Sequence, residues 1–249
     1  MTLLILGAAA LLLSARLLGP VARPDARPSE IRGHLIVMEW LNVLYCQALH
    51  RLVVQSEAPL PEHGPAILVS NHTSGVDNMV LQAGCRRVLG FMVAKEWYDA
   101  PIVGTLCRIL KCIPVRRDGR DVGATRDALR ALEDGRVLPI FPEGRINPDS
   151  GRTFLEGKPG AAFLTLRARV PVIPAYIRGT PPTRIVTTAI FSPSNARVIF
   201  GPPIDLSDLL TDEPEDREAE KSRLAAITDR LMEAIKSLRE RSLALEGGP

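Results

Sequence analysis

Short apolar segments alternate with helical patterns from Pro61 onward, and this alternation restricts the possible folds more than any other feature of the sequence. Predicted strands occupy residues 66–70, 88–93, 112–116, 137–141, 172–177 and 197–200. Predicted helices occupy residues 76–83, 97–110, 122–133 and 160–168. Strands that are separated by helices pair in parallel, and the helices then cover both faces of the sheet. The sequence therefore predicts an α/β fold with a mostly parallel sheet flanked by helices.

The amino terminus is strongly apolar. Residues 1–15 carry no charged side chain, although this run is shorter than the roughly 18 to 20 apolar residues that cross a bilayer comfortably. Snorkelling of the first arginine would extend the run to Leu18 and give a marginal span. By the positive-inside tendency, the arginines that follow predict a cytoplasmic location for the rest of the chain: Arg16, Arg23, Arg27 and Arg32. We expect membrane attachment here, and a hydrophobic helix packed on the protein itself is the alternative.

A second helix is predicted at residues 29–54, where apolar side chains cover most of the circumference. So wide an apolar arc favours a helix in the membrane interface, and a core helix of the folded domain is the alternative. Residues 1–59 are accordingly interpreted as a hydrophobic anchor with an interfacial helix, and residues 60–249 as the main domain. Apolar residues recur at helical spacing among charges from 213 to about 244, which predicts a C-terminal amphipathic helix packed on that domain.

The composition argues against several classes of protein. The formal net charge is only +3 and aromatic residues make up 4% of the chain, so a nucleic-acid partner is not expected. The four cysteines form no C-x-x-C pair and have no histidines at zinc spacing. We therefore expect no metal site, and we expect buried thiols in a reducing compartment.

A histidine and an acid, His72 and Asp77, lie five positions apart where a predicted strand leads into a predicted helix. The two side chains can meet if His72 lies in the loop and Asp77 lies in the first turn of the helix. A carboxylate on one imidazole nitrogen would fix the tautomer and leave the other nitrogen to act as a general base. No G-x-S-x-G motif surrounds Ser74, so the nucleophile is predicted to be a hydroxyl group of the substrate.

A second polar cluster, Glu143-Gly144-Arg145, follows the predicted strand at residues 137–141. Open α/β sheets bind ligands at the carboxyl ends of their strands, so this turn is a candidate binding loop. A simple β-turn with a surface arginine is the alternative. Arg117 and Lys158 are further candidates for binding phosphate, although a single cation of this kind is more often solvated.

Four blocks of the sequence resemble, in order, the motifs of the glycerolipid acyltransferases, the lysophosphatidic acid acyltransferase family. Asn71-His72-x-Ser74-x-x-Asp77 is similar to the first motif. Lys95-Glu96, Pro101, Gly104 and residues 113–117 resemble the second block, with Arg117 at its arginine position. Residues 141–144 (Phe-Pro-Glu-Gly) resemble the third block, and residues 170–174 (Val-Pro-Val-Ile-Pro) resemble the fourth. The resemblance covers roughly residues 60–205.

The resemblance implies transfer of an acyl group from a thioester, on coenzyme A or acyl carrier protein, to the free hydroxyl of a lysophospholipid. His72 would be the general base and Asp77 would orient it, with no metal or other cofactor. The substrate-binding residues would be Asn71, Ser74, Lys95, Arg117, Glu143, Gly144 and Arg145. The implied product is phosphatidic acid, and the implied location is the inner (cytoplasmic) membrane, with membrane lipid as a partner and the catalytic domain facing the cytoplasm.

The third block departs from the family pattern, and three alternative functions remain open. The family usually has Thr-Arg-Ser after the Glu-Gly pair, whereas here Arg145 follows directly. This difference favours, as a second hypothesis, the same chemistry on another lysolipid, such as a lyso form of an amino-acid-containing lipid. A non-catalytic, membrane-associated lipid-binding protein is a third hypothesis, and a thioesterase that uses water as acceptor is a fourth.

Overall fold

The computed structural model describes residues 33–116, 121–150, 152–211 and 216–245. The strands are β1 (Val53–Val54), β2 (Ala66–Ser70), β3 (Met92–Ala94), β4 (Ile113–Val115), β5 (Val137–Ile140), β6 (Val172–Arg178) and β7 (Arg197–Phe200). The helices are α1 (His34–Ala48), α2 (Asp77–Gly84), α3 (Lys95–Tyr98), α4 (Pro101–Ile109), α5 (Val122–Glu133), α6 (Pro159–Ala168), α7 (Val186–Phe191) and α8 (Arg217–Ala244).

The main sheet has the strand order β1-β7-β6-β2-β5. Strands β6, β2 and β5 are parallel to one another, whereas β7 pairs antiparallel with β6 and the edge strand β1 runs parallel to β7. Strands β3 and β4 form a separate parallel pair, and a single bridge between Leu89 and Val137 links the segment before β3 to β5. The predicted mostly parallel sheet flanked by helices is therefore confirmed.

Alternate residues of the central strands face two different helical layers, because successive side chains of a strand point to opposite faces. Ala66 and Leu68 of β2 belong to a core cluster shared with α1, α2 and α4. Ile67 and Val69 belong to the opposite cluster, shared with α5, α6 and α8. Burial of β2 on both faces holds its carboxyl end, where the candidate site lies, in a rigid frame.

Two of the predicted helices are wrong in their extent. The helix predicted at residues 29–54 ends at Ala48, because Arg51 takes a left-handed φ of 43° and the valines of β1 then pair with β7. The helix predicted at residues 97–110 is two helices, α3 and α4, because Pro101 has no backbone N–H to continue the helical hydrogen bonds. Strand β1 and the short helix α7 have no counterpart among the predicted elements.

Within the described part of the chain, helix α1 packs through one side. The Asn42 amide donates to the carbonyl of Met79 in α2 over 3.0 Å, and the Cys46 side chain is fully buried. On its other side, three large apolar side chains are more than half exposed: Val37, Trp40 and Leu41. None of the helices in the described ranges is long and apolar enough to cross a bilayer. The apolar run predicted as an anchor, residues 1–18, lies outside the described residues.

The C-terminal helix prediction is confirmed by α8, which buries Ile227, Leu231, Ile235 and Leu238 against the sheet. All four cysteines are free and buried, as expected. Burial raises the pKa of Cys46 and of Cys112 to about 12, so these thiols stay protonated at neutral pH. The reducing compartment inferred from the cysteines stays a prediction.

A buried histidine ties α1 to the segment that follows β6. The Tyr45 hydroxyl donates to the carbonyl of Ile190 over 2.8 Å, so it accepts from Nε2–H of His50, also at 2.8 Å. The Nδ1 atom of His50 is then the acceptor for the Ser194 hydroxyl at 2.9 Å. Burial lowers the pKa of His50 from its ordinary value of 6.5, and the ring is held neutral.

We expect His50 to make the stability of the protein pH-dependent. Its pKa is lower in the folded than in the unfolded chain, so its contribution is fully present above about pH 6.5 and is lost as the pH falls towards the folded-state pKa. The free energy of unfolding, measured by urea denaturation between about pH 7.5 and about pH 5.5, should fall more steeply in the wild type than in His50→Gln. Equal slopes would contradict this assignment.

Candidate active site

The predicted histidine–acid pair meets at the carboxyl end of β2. The Nδ1 atom of His72 lies 2.8 Å from Oδ2 of Asp77, the first residue of α2. The Asp77 side chain is fully buried, whereas 17% of the His72 side chain is exposed. The loop between β2 and α2 thus brings a shielded carboxylate against one nitrogen of a partly accessible imidazole.

The Asp77 carboxylate accepts hydrogen bonds on both oxygens. Backbone N–H groups of Thr73 and Ser74 donate to Oδ2 over 2.6 and 2.8 Å, beside Nδ1 of His72. The other oxygen, Oδ1, lies 2.9 Å from the Thr73 hydroxyl and 3.1 Å from the Thr180 hydroxyl. Donors around both oxygens fix the orientation of the carboxylate.

The second imidazole nitrogen of His72 is free to act on a substrate. No hydrogen-bond partner for Nε2 occurs among the residues that the structure describes. The ring stacks on Phe141, which follows β5, with 3.9 Å between ring centroids and 9° between ring planes. Asp77 and Phe141 together hold the ring, and a basic nitrogen is left open, which is what general-base catalysis requires.

Glu143 is buried beneath the loop between β2 and α2, residues 71–76, which we call the histidine loop. Its Oε1 accepts from the backbone N–H of His72 and from the Ser150 hydroxyl, each at 3.3 Å. Its Oε2 accepts from Asn147 Nδ2 at 3.2 Å and from the backbone N–H of Leu155 at 2.9 Å. Oε1 therefore joins the loop after β5 to the histidine loop, whereas Oε2 braces the loop after β5 itself. The predicted role of Glu143 in substrate binding stays a prediction.

Asn71 is likewise committed to the protein. Its side-chain oxygen accepts from the N–H of Ile177 and its Nδ2 donates to the carbonyl of the same residue, both over 2.8 Å. The same Nδ2 donates to Ser150 over 2.9 Å. Asn71 thus joins the ends of β2 and β6. The Ser74 hydroxyl is buried and has no partner among the described side and main chains, and its backbone N–H is the group that contacts Asp77.

Three of the remaining predicted site residues lie in the described part of the chain: Lys95, Gly144 and Arg145. Lys95 forms an ion pair with Asp99 at 2.8 Å, and Arg145 is exposed. Gly144 has a positive φ of 66°, and a Cβ atom there would approach Cδ of Lys158 to 2.8 Å, so the Lys158 stem crosses this turn. Arg117 lies outside the described residues. Within the described ranges, no contact joins Lys95 or Arg145 to the histidine–acid pair.

Sequence reasoning missed several residues that support the site: Thr73, Phe141, Asn147, Ser150 and Thr180. Thr73 occupies an unassigned position of the first motif, and Phe141 precedes the Glu-Gly pair. Thr180 follows the carboxyl end of β6, and the rule that ligands and functional groups gather at strand ends could have found it. No local pattern marks Asn147 and Ser150, whose importance comes from their contacts with Glu143.

Residues 51–178, or 128 of the 249 residues, match the family model described as Acyltransferase. The chain is 23% identical to a 1-acyl-sn-glycerol-3-phosphate acyltransferase of Bacillus subtilis, over 74% of this chain and 86% of the relative. It is 30% identical to a lyso-ornithine lipid O-acyltransferase of Rhodobacter capsulatus, over 57% of this chain and 58% of the relative. Several uncharacterized mycobacterial relatives are longer, and the alignments span 62 to 65% of their length.

The fold is similar to that in the crystal structure of the 1-acyl-sn-glycerophosphate (LPA) acyltransferase of Thermotoga maritima. The TM-score is 0.61 at 22% sequence identity, and the match covers 81% of this chain and 79% of that one. At this level of identity the likeness concerns the fold.

Proposed function

Because this chain belongs to the glycerolipid acyltransferase family, we propose that it moves a fatty acyl group from an acyl thioester to the free hydroxyl of 1-acyl-glycerol-3-phosphate. The product would be phosphatidic acid, a precursor for phospholipid synthesis. The observation that carries the proposal is the His72–Asp77 pair, with Nδ1 held by a buried carboxylate and Nε2 open to a substrate.

The proposed reaction proceeds by direct attack. Nε2 of His72 takes the proton of the acceptor hydroxyl while its oxygen attacks the thioester carbonyl, and Asp77 stabilises the imidazolium that forms. The tetrahedral intermediate collapses, the C–S bond breaks, and the imidazolium returns the proton to the leaving thiolate. The products are an ester and a free thiol, on coenzyme A or acyl carrier protein, and no covalent bond to the protein is formed.

Cations near the loop after β5 would bind the phosphate of the acceptor. Arg145 is exposed beside Gly144, and the side chain of Lys158 passes over the same turn. We assign the phosphate to these two residues together with Arg117. The polar side-chain atoms of Glu143 and Asn71 already bind the protein. These two residues would therefore support the loops around the acceptor site and would not contact the lipid.

A second acceptor class has support of its own. Asn147 occupies a position in the stretch where the family has Thr-Arg-Ser, and its side-chain amide donates a hydrogen bond to Glu143. One relative is a lyso-ornithine lipid O-acyltransferase. A lyso amino-acid-containing lipid is therefore the second candidate acceptor, with the same roles for His72 and Asp77.

An acyl-transfer assay tests the proposal. Detergent-solubilised full-length protein would be given labelled acyl-coenzyme A or acyl carrier protein, with lysophosphatidic acid or lyso-ornithine lipid as acceptor. We expect diacyl product from lysophosphatidic acid. Product from the ornithine lipid alone would keep the chemistry and replace the acceptor. No product with either donor, from protein with a cooperative unfolding transition, would contradict the proposed reaction and favour a lipid-binding protein.

We also propose that the protein works at the surface of the inner membrane, where the lysolipid acceptor and the diacyl product reside. Exposed apolar side chains on α1 (Val37, Trp40, Leu41) and on α4 (Ile102, Leu106, Ile109) support this, since both helices cover the same face of the sheet. Exposed basic residues at the end of α4, Arg108 and Lys111, complement anionic lipid headgroups.

Trp40 offers a direct test, because the chain has only one other tryptophan, Trp97. In the Trp97→Phe variant bound to vesicles of anionic phospholipid, brominated acyl chains should quench the fluorescence of Trp40. The control is the Trp40→Phe variant, in which the signal comes from Trp97. Vesicle-bound protein whose Trp40 emission is unaffected by brominated lipid would contradict an interfacial α1.

A further inference from the structure

Thr180 reaches the catalytic carboxylate from a distant part of the chain. It follows β6 after Gly179, is 5% exposed, and places its Oγ1 3.1 Å from Oδ1 of Asp77. The same Oγ1 lies 2.5 Å from Oγ1 of Thr73, which in turn lies 2.9 Å from Oδ1. Three oxygen atoms, two of them hydroxyls, therefore form a closed triangle on the side of Asp77 away from His72.

A proton count restricts how this triangle can be bonded. It has three edges, but the two hydroxyl groups supply only one proton each, and the carboxylate supplies none. The 2.5 Å contact between the two hydroxyl oxygens requires one of these protons, so one threonine donates to Oδ1 while the other donates to that first threonine. The resulting chain of hydrogen bonds ends on a charged acceptor, and each bond in such a chain polarises and strengthens the next.

The two carboxylate oxygens are thus held by different parts of the molecule. Oδ2 receives Nδ1–H of His72 and two backbone N–H groups of its own loop. Among the described residues, the donors within reach of Oδ1 are the two threonine hydroxyls, one of which donates to it directly. Without a donor anchored outside the loop, the carboxylate could rotate about its Cβ–Cγ bond and weaken its hold on the imidazole.

We propose that Thr180 is a positioning residue for the catalytic pair. With Thr73, it sets the plane of the Asp77 carboxylate and, through Asp77, the tautomer and direction of the His72 ring. The proposal rests on the proposed function for its kinetic consequence, whereas the geometry of the pair is independent of the substrate. The histidine loop alone therefore does not complete the set of groups around Asp77, since one hydroxyl comes from the segment that follows β6.

The surroundings of Thr180 allow a matched set of variants. Thr180 and Thr73 line a cavity of about 590 Å³, which also borders Thr188 of α7. Thr180→Val replaces the hydroxyl by a methyl group of similar shape. Thr180→Ser keeps the hydroxyl. Thr188→Val makes the same chemical change in an exposed residue of the same cavity wall.

The kinetic test compares the four proteins in the acyl-transfer assay. We expect kcat of Thr180→Val to fall roughly ten- to a hundredfold, because the chain of hydrogen bonds that ends on the charged carboxylate loses one of its members. The KM for either substrate should change by less than about twofold. Thr180→Ser and Thr188→Val should keep most of the wild-type kcat. A Thr180→Val enzyme with wild-type kcat, or a Thr180→Ser enzyme as impaired as Thr180→Val, would overturn the proposal.

A spectroscopic measurement keeps the proposal testable if the protein has another activity. The Nδ1–H proton of His72, bonded to Asp77, should give a downfield proton resonance that is absent in His72→Ala. We expect this resonance to broaden or move in Thr180→Val and to persist in Thr180→Ser and Thr188→Val, with thermal unfolding midpoints as the check on folding. An unchanged resonance in Thr180→Val would overturn the positioning role, whereas absence of acyl transfer in the wild type would contradict only the proposed function.

Discussion

Replacing His72 with Ala is expected to abolish acyl transfer while the protein stays folded. The substitution removes the open Nε2 that would take the proton of the acceptor hydroxyl, and loss of a general base of this kind costs about 10²- to 10⁴-fold in kcat. The side chain is partly exposed and its contacts are one hydrogen bond and one ring stack, so little of the core depends on it. Initial rates of acyl transfer and the urea unfolding curve together measure the two expectations.

The matched control is His63→Ala, which removes an exposed histidine from the segment before β2. We expect wild-type activity from this variant. Full activity in a folded His72→Ala protein would exclude the proposed mechanism, whatever the acceptor.

Asp77→Asn should be nearly as damaging as loss of the histidine. An asparagine can turn its oxygen toward the three donors at Oδ2 and its amide group toward the threonine hydroxyls, so the loop can keep its shape. It cannot stabilise the imidazolium by charge, and in a comparable hydrolase triad the same change costs about 10⁴-fold in kcat. A folded Asp77→Asn protein that retains more than about a tenth of wild-type kcat would argue against a general base oriented by Asp77.

Glu143→Gln is expected to destabilise the protein and to lower activity together. Four donors converge on the two carboxylate oxygens, and a glutamine amide offers one acceptor oxygen and turns its NH₂ group toward the other donors. Leaving buried donors without a partner costs about 1 to 3 kcal/mol each, so we expect the free energy of unfolding to fall by about 2 to 4 kcal/mol. Urea denaturation measures this loss.

The same variant separates two roles for Glu143. If the residue supports the loop, amide hydrogen exchange at His72 or at Leu155 should accelerate, since the single oxygen of glutamine can accept from only one of these N–H groups. If the residue binds the acceptor, as the family resemblance implies, KM for the lysolipid should rise while stability stays unchanged. Glu156→Gln, at an exposed position of the same loop, is the control for both measurements.

Most strands could be predicted closely from local pattern, although the strand predicted at residues 88–93 shares only two residues with β3, and β1 lies within a predicted helix. Residues 66–70 and 197–200 were placed with the bounds that the structure has, and α5 was placed at residues 122–133. These segments are buried on one or two faces, and burial forces a periodicity that is visible in the chain itself. The end of α1 was harder to predict, because apolar residues resume shortly after it at residues 52–54. The break before α4 carries a local signal in Pro101, which the helix predicted at residues 97–110 ran through.

The catalytic pair was also accessible to sequence reasoning, since His72 and Asp77 lie five positions apart and meet within a single loop-to-helix turn. The contacts that hold this pair in place were not. Glu143 contacts the histidine loop across 71 positions, Thr180 contacts Asp77 across 103, and Asn71 contacts Ile177 across 106. Spacing along the chain carries no information about such contacts.

Local composition thus determined where the strands lie, which loop is reactive and which two side chains form its acid–base pair. The order of strands in the sheet decided the rest, because β5 and β6 flank β2 and bring the loops after them to the same edge. That arrangement placed Glu143 beneath the histidine loop, Thr180 behind Asp77 and Phe141 against the imidazole ring. The tertiary structure therefore decided which buried polar groups hold the reactive pair in place, since their partners come together only when the sheet is assembled.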